Sequence, residues 1–241
     1  MTLVRTLAKS TAQAGRKLLR YAGVPHLGHE DEHDVLVPII SMTPEHAPEL
    51  KAHMLALDVQ DRYLRFGYQA NDAQIERYVD QLDFERDDIF GIFNRKLQIV
   101  AMAHVAIMRE PGREALAEFG VTVSSYARGR GYGARLFERA VMHARNEKVT
   151  LMYIHALSEN APMIRIARNA GATIERDGAE TDAYLRLPKR DLDSRLSEVL
   201  ANQYAKANFH AKEDAQRFWS FMDDVDEIRQ GVRQARKQSG Q

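Results

Sequence analysis

The spacing of apolar residues changes repeatedly along this chain, and each change marks an element. Val35 to Ile40, VLVPII, is an apolar run that reads as a strand, with Pro38 favouring an edge or an irregularity. SMTPEHAPELKAHMLAL, residues 41–57, reads as a helix with a Ser or Thr cap and Pro44 near its first position. A second helix is expected from about Asp72 to Leu82. Asp88 to Phe93 and Leu97 to Met108, joined by Asn94-Arg95-Lys96, form a β-hairpin. A polar loop, Arg109 to Glu114, precedes a strand from about Leu116 to Val123. A glycine-rich turn and a helix to about Glu147 follow. Val149 to Ala156 is an apolar strand, and Asn160 to Asn169 a short helix ended by Gly171. Thr173 to Arg176 and Thr181 to Leu187 close the pattern as a hairpin around Asp177-Gly178.

The order β-α-α-β-β-β-α-β-α-β-β fixes most of a topology. Strands joined by short hairpins are antiparallel, whereas the long helix between the Glu118 strand and the Tyr153 strand requires a parallel crossover. The fold class is therefore α/β of the α+β type, with a mixed, mostly antiparallel sheet and one parallel pair at its centre. Residues 35–188 form this domain. Residues 1–34 precede it as a basic amphipathic stretch and a linker, PHLGHEDEHD, whose three histidines lack an apolar frame for metal ligands. Residues 189–241 follow as a charged helical extension with apolar positions such as Leu192, Leu196, Val199, Leu200, Phe209, Phe218, Trp219 and Phe221, suited to packing or to a homo-oligomer.

Composition narrows the setting. The 241 residues carry 34 Lys plus Arg and 34 Asp plus Glu, so overall charge gives no sign of nucleic-acid binding. The absence of cysteine excludes disulfides, thiolate metal sites and a cysteine nucleophile, and agrees with a cytoplasmic protein. No apolar run approaches the roughly 20 residues that span a bilayer. The first 21 residues hold Arg5, Lys9, Arg16, Lys17 and Arg20 and no acid. That stretch fits an appended helix, a targeting peptide or a peripheral contact with anionic lipid.

The chemistry concentrates between Val121 and Val141. A β-branched run stops at a turn carrying Gly129, Gly131 and Gly133, which leads into a strongly helical sequence. A helix start directs unpaired amides and positive dipole outward, and glycine lets a phosphate approach the backbone. Arg128 and Arg130 add formal charge there. A dinucleotide fold also uses G-x-G-x-x-G/A, satisfied by Gly129, Gly131 and Ala134. It requires a mostly parallel sheet and a ribose-binding acid about 20 residues on, and this chain has a meander before the loop and no acid in place.

Arg128-Gly129-Arg130-Gly131-Tyr132-Gly133-Ala134 resembles the pyrophosphate loop of the GNAT superfamily of N-acetyltransferases, Gln/Arg-x-x-Gly-x-Gly/Ala. The strand LMYIHA, Asn160 after it, and a short helix closing on Asn169-Ala170-Gly171-Ala172 resemble the second half of that core. The resemblance covers about Val35 to Leu187. It implies helices on both sheet faces, acetyl-CoA as co-substrate, no metal, and transfer of acetyl to a primary amine on a protein lysine or a small molecule. It also implies pantetheine pairing with the backbone near Val121 and Val123, and cofactor contacts from residues 128–134 and Asn160.

Within the resemblance, Glu118 holds the place of a catalytic base: the family strand Glu-Phe-Ala-x-x-Val reads here Glu118-Phe119-Gly120-Val121-Thr122-Val123. The same residue also fits a Glu on a solvated strand or paired with an arginine. The family's proton-donating Tyr falls on Ala167, leaving Ser158, Tyr153, Tyr184 or water as substitutes. Arg62 and Arg65, in a stretch similar to the Tyr-Leu-Arg-Phe of some bacterial protein-lysine acetyltransferases, are candidate acceptor-binding residues or anchors of their own loop. His104 and His155 flank the same region. A non-catalytic acyl-CoA-binding regulatory or scaffold module is the competing reading.

Overall fold

The computed structural model describes residues 37–112, 114–189, 195 and 197–217. The basic N-terminal stretch, the histidine-rich linker and the aromatic positions after 217 lie outside the described residues.

Seven strands form one sheet in the order β1-β2-β3-β4-β5-β7-β6. They are β1 (Ile40–Ser41), β2 (Asp87–Phe93), β3 (Ile99–Met108), β4 (Leu116–Val123), β5 (Leu151–Leu157), β6 (Thr173–Asp177) and β7 (Glu180–Arg186). Every neighbouring pair is antiparallel except β4 and β5, as the crossover argument requires. The helices are α1 (Ala47–Leu55), α2 (Val59–Phe66), α3 (Asp72–Asp80), α4 (Tyr132–Asn146) and α5 (Ala161–Asn169). Residues 197–217 form a further helix, α6.

Strand alternation divides the interior into two cores. One face of the sheet contributes Phe90, Ala103, Val105, Ala117, Phe119, Met152 and Ile154, which pack on Leu136, Phe137 and Ala140 of α4 and Met163 and Ile164 of α5. Phe119 and Phe137 meet edge to face at 4.9 Å. The other face contributes Ile89, Phe93 and Met102, covered by Leu50 and Met54 of α1 and Ile75 and Val79 of α3. Alternation also sends Glu118, Gly120 and Thr122 to this second face.

Three local expectations differ. The first strand pairs only at Ile40 and Ser41: Pro38 has no amide to donate, and the run instead lays Val37 and Ile39 on the core. Residues 59–66 are a helix, capped by the Asp58 carboxylate accepting from the Asp61 amide at 2.8 Å and closed by Gly67 with φ 76°. Leu97 lies in the hairpin turn at φ 55°, so β3 begins at Ile99.

The C-terminal extension packs on the domain. Its inward positions are Glu198, Asn202, Ala205, Phe209 and Lys212, spaced four and three residues apart, so they share one face of α6. Arg139 of α4 donates to Glu198 at 2.8 Å and to Asn202 at 2.7 Å; His143 meets Glu198 at 2.6 Å, and Asn146 also donates to Glu198. Ala205 is buried, Phe209 stacks edge-on to Phe93, and Lys212 donates to the Phe93 carbonyl at 2.8 Å. No helix among the described residues is long and apolar enough to cross a membrane.

Candidate active site

The central parallel pair is short. β4 and β5 are in register only from Leu116–Leu151 to Glu118–Tyr153. Each strand runs on, β4 to Val123 and β5 to Leu157, without pairing the other. They remain bonded on their outer sides to β3 and β7, so the gap between them exposes backbone groups that have no ladder partner. An extended ligand carrying amides finds there what a missing strand would supply.

The glycine turn stands at the open end of that gap. After β4, a single 3-10 turn, Ser125–Ala127, leads to Arg128, and the chain enters α4 at Gly131. Gly129 and Gly131 have φ of 75° and 73°, in the left-handed region where a Cβ is strained. Gly131 is the N-cap of α4 and supplies no side-chain acceptor, so the amides of Tyr132, Gly133 and Ala134 present themselves to whatever lies in front. Nothing stands within 4 Å of where a Cβ would sit on either Gly129 or Gly131, which leaves room for a phosphate. Arg130 contributes charge at this turn. Arg128 is ion-paired with Asp61 of α2, which ties the turn to the helix across the gap. Burial raises the Asp61 carboxyl above its ordinary value, and Arg128 acts against that rise.

Val121 and Val123 line the β4 side of the gap and pack their side chains on the first core. Asn160 lies beyond the end of β5 as the N-cap of α5, its Oδ1 accepting from the Met163 amide at 3.2 Å. The place expected for a proton-donating Tyr is Ala167, 1% exposed and packed in the core. Ser158 is bound to the Gly178 and Glu180 carbonyls and to Thr181, so its hydroxyl serves the β5–β7 corner.

Glu118 is exposed at the point where β4 and β5 part, beside Tyr153 on β5. The Tyr153 hydroxyl donates to Asp182 at 2.7 Å, and His155 meets the same carboxylate at 2.8 Å. Burial and the Asp182 bond push the Tyr153 phenol up, so its proton is held firmly. Asp182 is brought below the usual carboxylate range, chiefly by His155 and then by Tyr153.

On the β3 side, sequence reasoning grouped two arginines that the structure separates. Arg62 bonds to the carbonyls of Leu55, Leu57 and Ala70 and to Asp72, at 2.7 to 3.2 Å, and so fastens α2 to its neighbours. Arg65, one turn later, reaches across to β4: a Cβ on Gly120 would stand 2.7 Å from its guanidinium. Its Nη2 donates to the Tyr78 hydroxyl at 2.9 Å, and that hydroxyl meets His104 Nδ1 at 3.0 Å. His104 Nε2 lies 3.1 Å from Asp87. Burial, and then the Arg65 charge, lower the His104 pKa, which favours the neutral ring as acceptor of the Tyr78 hydrogen bond.

Tyr78 and Asp87 were not among the residues singled out from sequence. The helical spacing of Tyr78 with Ile75 and Val79 was the only available signal, and it indicated core. A hollow of about 530 Å³ lies elsewhere, at the C-terminal end of α4, lined by Glu85, Arg86, Asp88, Ile107, Arg109, His143 and Glu147. It is remote from the gap; in its lining Arg109 pairs with Glu147, and His143 stands between Asp88 and Glu198 of α6. Among the described residues no group of three or more acids and histidines is placed to hold a metal.

Comparison with known proteins agrees with this fold. Residues 52–172 match the model of the Acetyltransferase (GNAT) family. The chain is similar in fold to the GNAT domain of PAT from S. lividans, with 17% identity and TM-score 0.54, over 66% of this chain and all of that one. It is similar to a GNAT superfamily phosphinothricin acetyltransferase from Sinorhizobium meliloti, solved with AcCoA: 13% identity, TM-score 0.50, over 63% and 89% of the two chains. Spermidine N-acetyltransferase from Vibrio cholerae, solved with CoA and spermine, gives 13% identity and TM-score 0.50 over 63% and 95%.

Proposed function

Because the chain belongs to the GNAT acetyltransferase family, we propose that it moves the acetyl group of acetyl-CoA to a primary amine, by direct attack within a ternary complex. The observation that carries this reading is the parting of β4 and β5 immediately beyond Glu118, with the left-handed glycine turn at the open end. The turn amides of residues 130–134 suit a pyrophosphate, and the unpaired backbone near Val121 and Val123 suits the amides of pantetheine. Asn160 stands at the far side of the gap, beyond the end of β5.

Glu118 takes a proton from the acceptor ammonium, directly or through one water. The freed nitrogen attacks the thioester carbonyl, and an unpaired amide of the gap stabilises the oxygen as charge develops on it. The amide bond forms, the carbon–sulfur bond breaks, and sulfur leaves as a thiolate that solvent protonates. Tyr153 is a poor proton donor because Asp182 holds its proton, and Ala167 offers none. Thiolate is a tolerable leaving group without a dedicated acid.

A scaffold that only senses acyl-CoA is the second reading, and Ala167 in the proton donor's place is what favours it. Thiol release with acetyl-CoA and pooled amines, amino acids and lysine peptides separates the two. Release that depends on an added amine supports the enzyme. Tight acetyl-CoA binding with no release on any acceptor supports the scaffold.

A further inference from the structure

Arg65 differs from the arginines that fasten this domain together. Arg62 has four bonds, Arg128 pairs with Asp61, Arg139 with Glu198 and Arg109 with Glu147. Arg65 has no carboxylate within 4.0 Å among the described residues, and the bond to Tyr78 is the hydrogen bond its guanidinium makes. Its Nε is enclosed and has no acceptor. The rings of Phe66 and Tyr78 lie 5.4 and 5.5 Å from the guanidinium carbon, which supports the charge without satisfying its N–H groups. The enclosed Nε is out of an incoming ligand's reach; Nη1, which is not enclosed and has no partner among the described residues, is the donor left open to an anion.

The position of that cation is specified. Tyr78 and His104 form a hydrogen-bonded pair behind Arg65 that fixes its orientation, and Asp87 lies 3.1 Å from the far side of the His104 ring. Gly120 keeps the strand surface flat where the guanidinium lies. Gly120 and Glu118 are two residues apart on the same face of β4, which separates them by roughly 7 Å. A base and an unfilled anion site therefore stand side by side at the mouth of the gap.

We propose that Arg65 receives the carboxylate of the acceptor, so that the amine presented to Glu118 belongs to an amino acid. The inference rests on Glu118 as the base, yet binding tests it without catalysis. The probes are three amino acids, each matched with the amine left by its decarboxylation: alanine with ethylamine, ornithine with putrescine, lysine with cadaverine. Each is titrated calorimetrically into the CoA-bound protein.

In at least one pair the amino acid should bind about tenfold tighter than its amine, the scale of one charge-assisted contact. Arg65→Gln should bring that ratio close to one, and Arg65→Lys should restore part of it. Gly120→Ala should lower it as well, because the new methyl displaces the guanidinium. CoA affinity should be unchanged in all three variants, which excludes general unfolding as the cause. Ratios near one in the wild type, a ratio that survives Arg65→Gln, or no binding by any probe would each overturn the proposal. Failure of thiol release on every acceptor would instead count against acetyl transfer, so the two failures are told apart.

Discussion

At the scale of single residues, the site depends on positions where backbone conformation matters more than side-chain chemistry. Gly131 is at φ 73° in open space, so Gly131→Ala meets no neighbour and introduces only the strain of a left-handed Cβ. The expected result is a stability loss of about 1 kcal/mol with a clear weakening of acetyl-CoA binding. Chemical denaturation and calorimetry measure the two effects separately. The open, left-handed shape of this turn was legible in the sequence, because alternating glycines between a β-branched run and a helix have few other uses. The contrast between Arg62 and Arg65 was not visible. Two arginines three residues apart look equivalent until the carbonyls of Leu55, Leu57 and Ala70 are seen to surround the first.

Among elements, the legible ones carried either a strict period or a topological demand. The β2–β3 hairpin, the β4–β5 crossover and α4 follow directly from pattern. Helix α2 escaped because it is only eight residues long and none of them is buried: Val59, Tyr63 and Phe66 fall at helical spacing, but Val59 is 62% exposed, and the cap at Asp58 and the stop at Gly67 were the clearer signals. The docking face of α6 escaped for a related reason. Val199 looked like a packing position but is 55% exposed, while Glu198 beside it faces the domain. Phe209, named from the sequence, does pack on Phe93, but Glu198, Asn202 and Lys212 complete the attachment and hydrophobic patterning does not reveal them. The attachment can be tested by Glu198→Ala. It leaves Arg139, whose side chain is 4% exposed, facing His143 with no carboxylate between them. Breaking a buried pair in this way should cost about 3 kcal/mol in urea denaturation. Arg139→Met with Glu198→Leu should recover much of it, since the penalty comes from stranded charge.

For the whole molecule, two histidines set opposite pH limits. His53 lies between the Ile99 carbonyl and the Thr122 hydroxyl, and burial lowers its pKa to about 4. Its unfolded value is near 6.5, so between those values the unfolded chain takes up a proton that the native chain refuses. Stability therefore falls as pH drops from 6.5 toward 4. His143 behaves in reverse. Burial opposes its charge, but the carboxylates of Asp88 and Glu198 prevail and raise its pKa to about 9. Its contribution is complete below 6.5 and is lost as pH rises through 9. Burial would raise the Glu198 carboxyl, yet His143, Asn146 and Arg139 bring it down to about 2, so further stability is lost as pH falls from 4.5. Thermal melts should show a maximum near pH 6.5. Each histidine contributes a slope of at most about 1.4 kcal/mol per pH unit on its own side. His143→Gln should flatten the alkaline side, and a profile with an unchanged alkaline side would count against the cluster.

The central claim is that Glu118, placed where β4 and β5 part, takes the proton from the acceptor amine. The most direct measurement compares thiol release by wild type and Glu118→Gln at saturating acetyl-CoA, with acetyl-CoA affinity recorded on the same samples. The account predicts turnover lower by about a hundredfold or more with affinity nearly unchanged. Unchanged turnover in Glu118→Gln would contradict it.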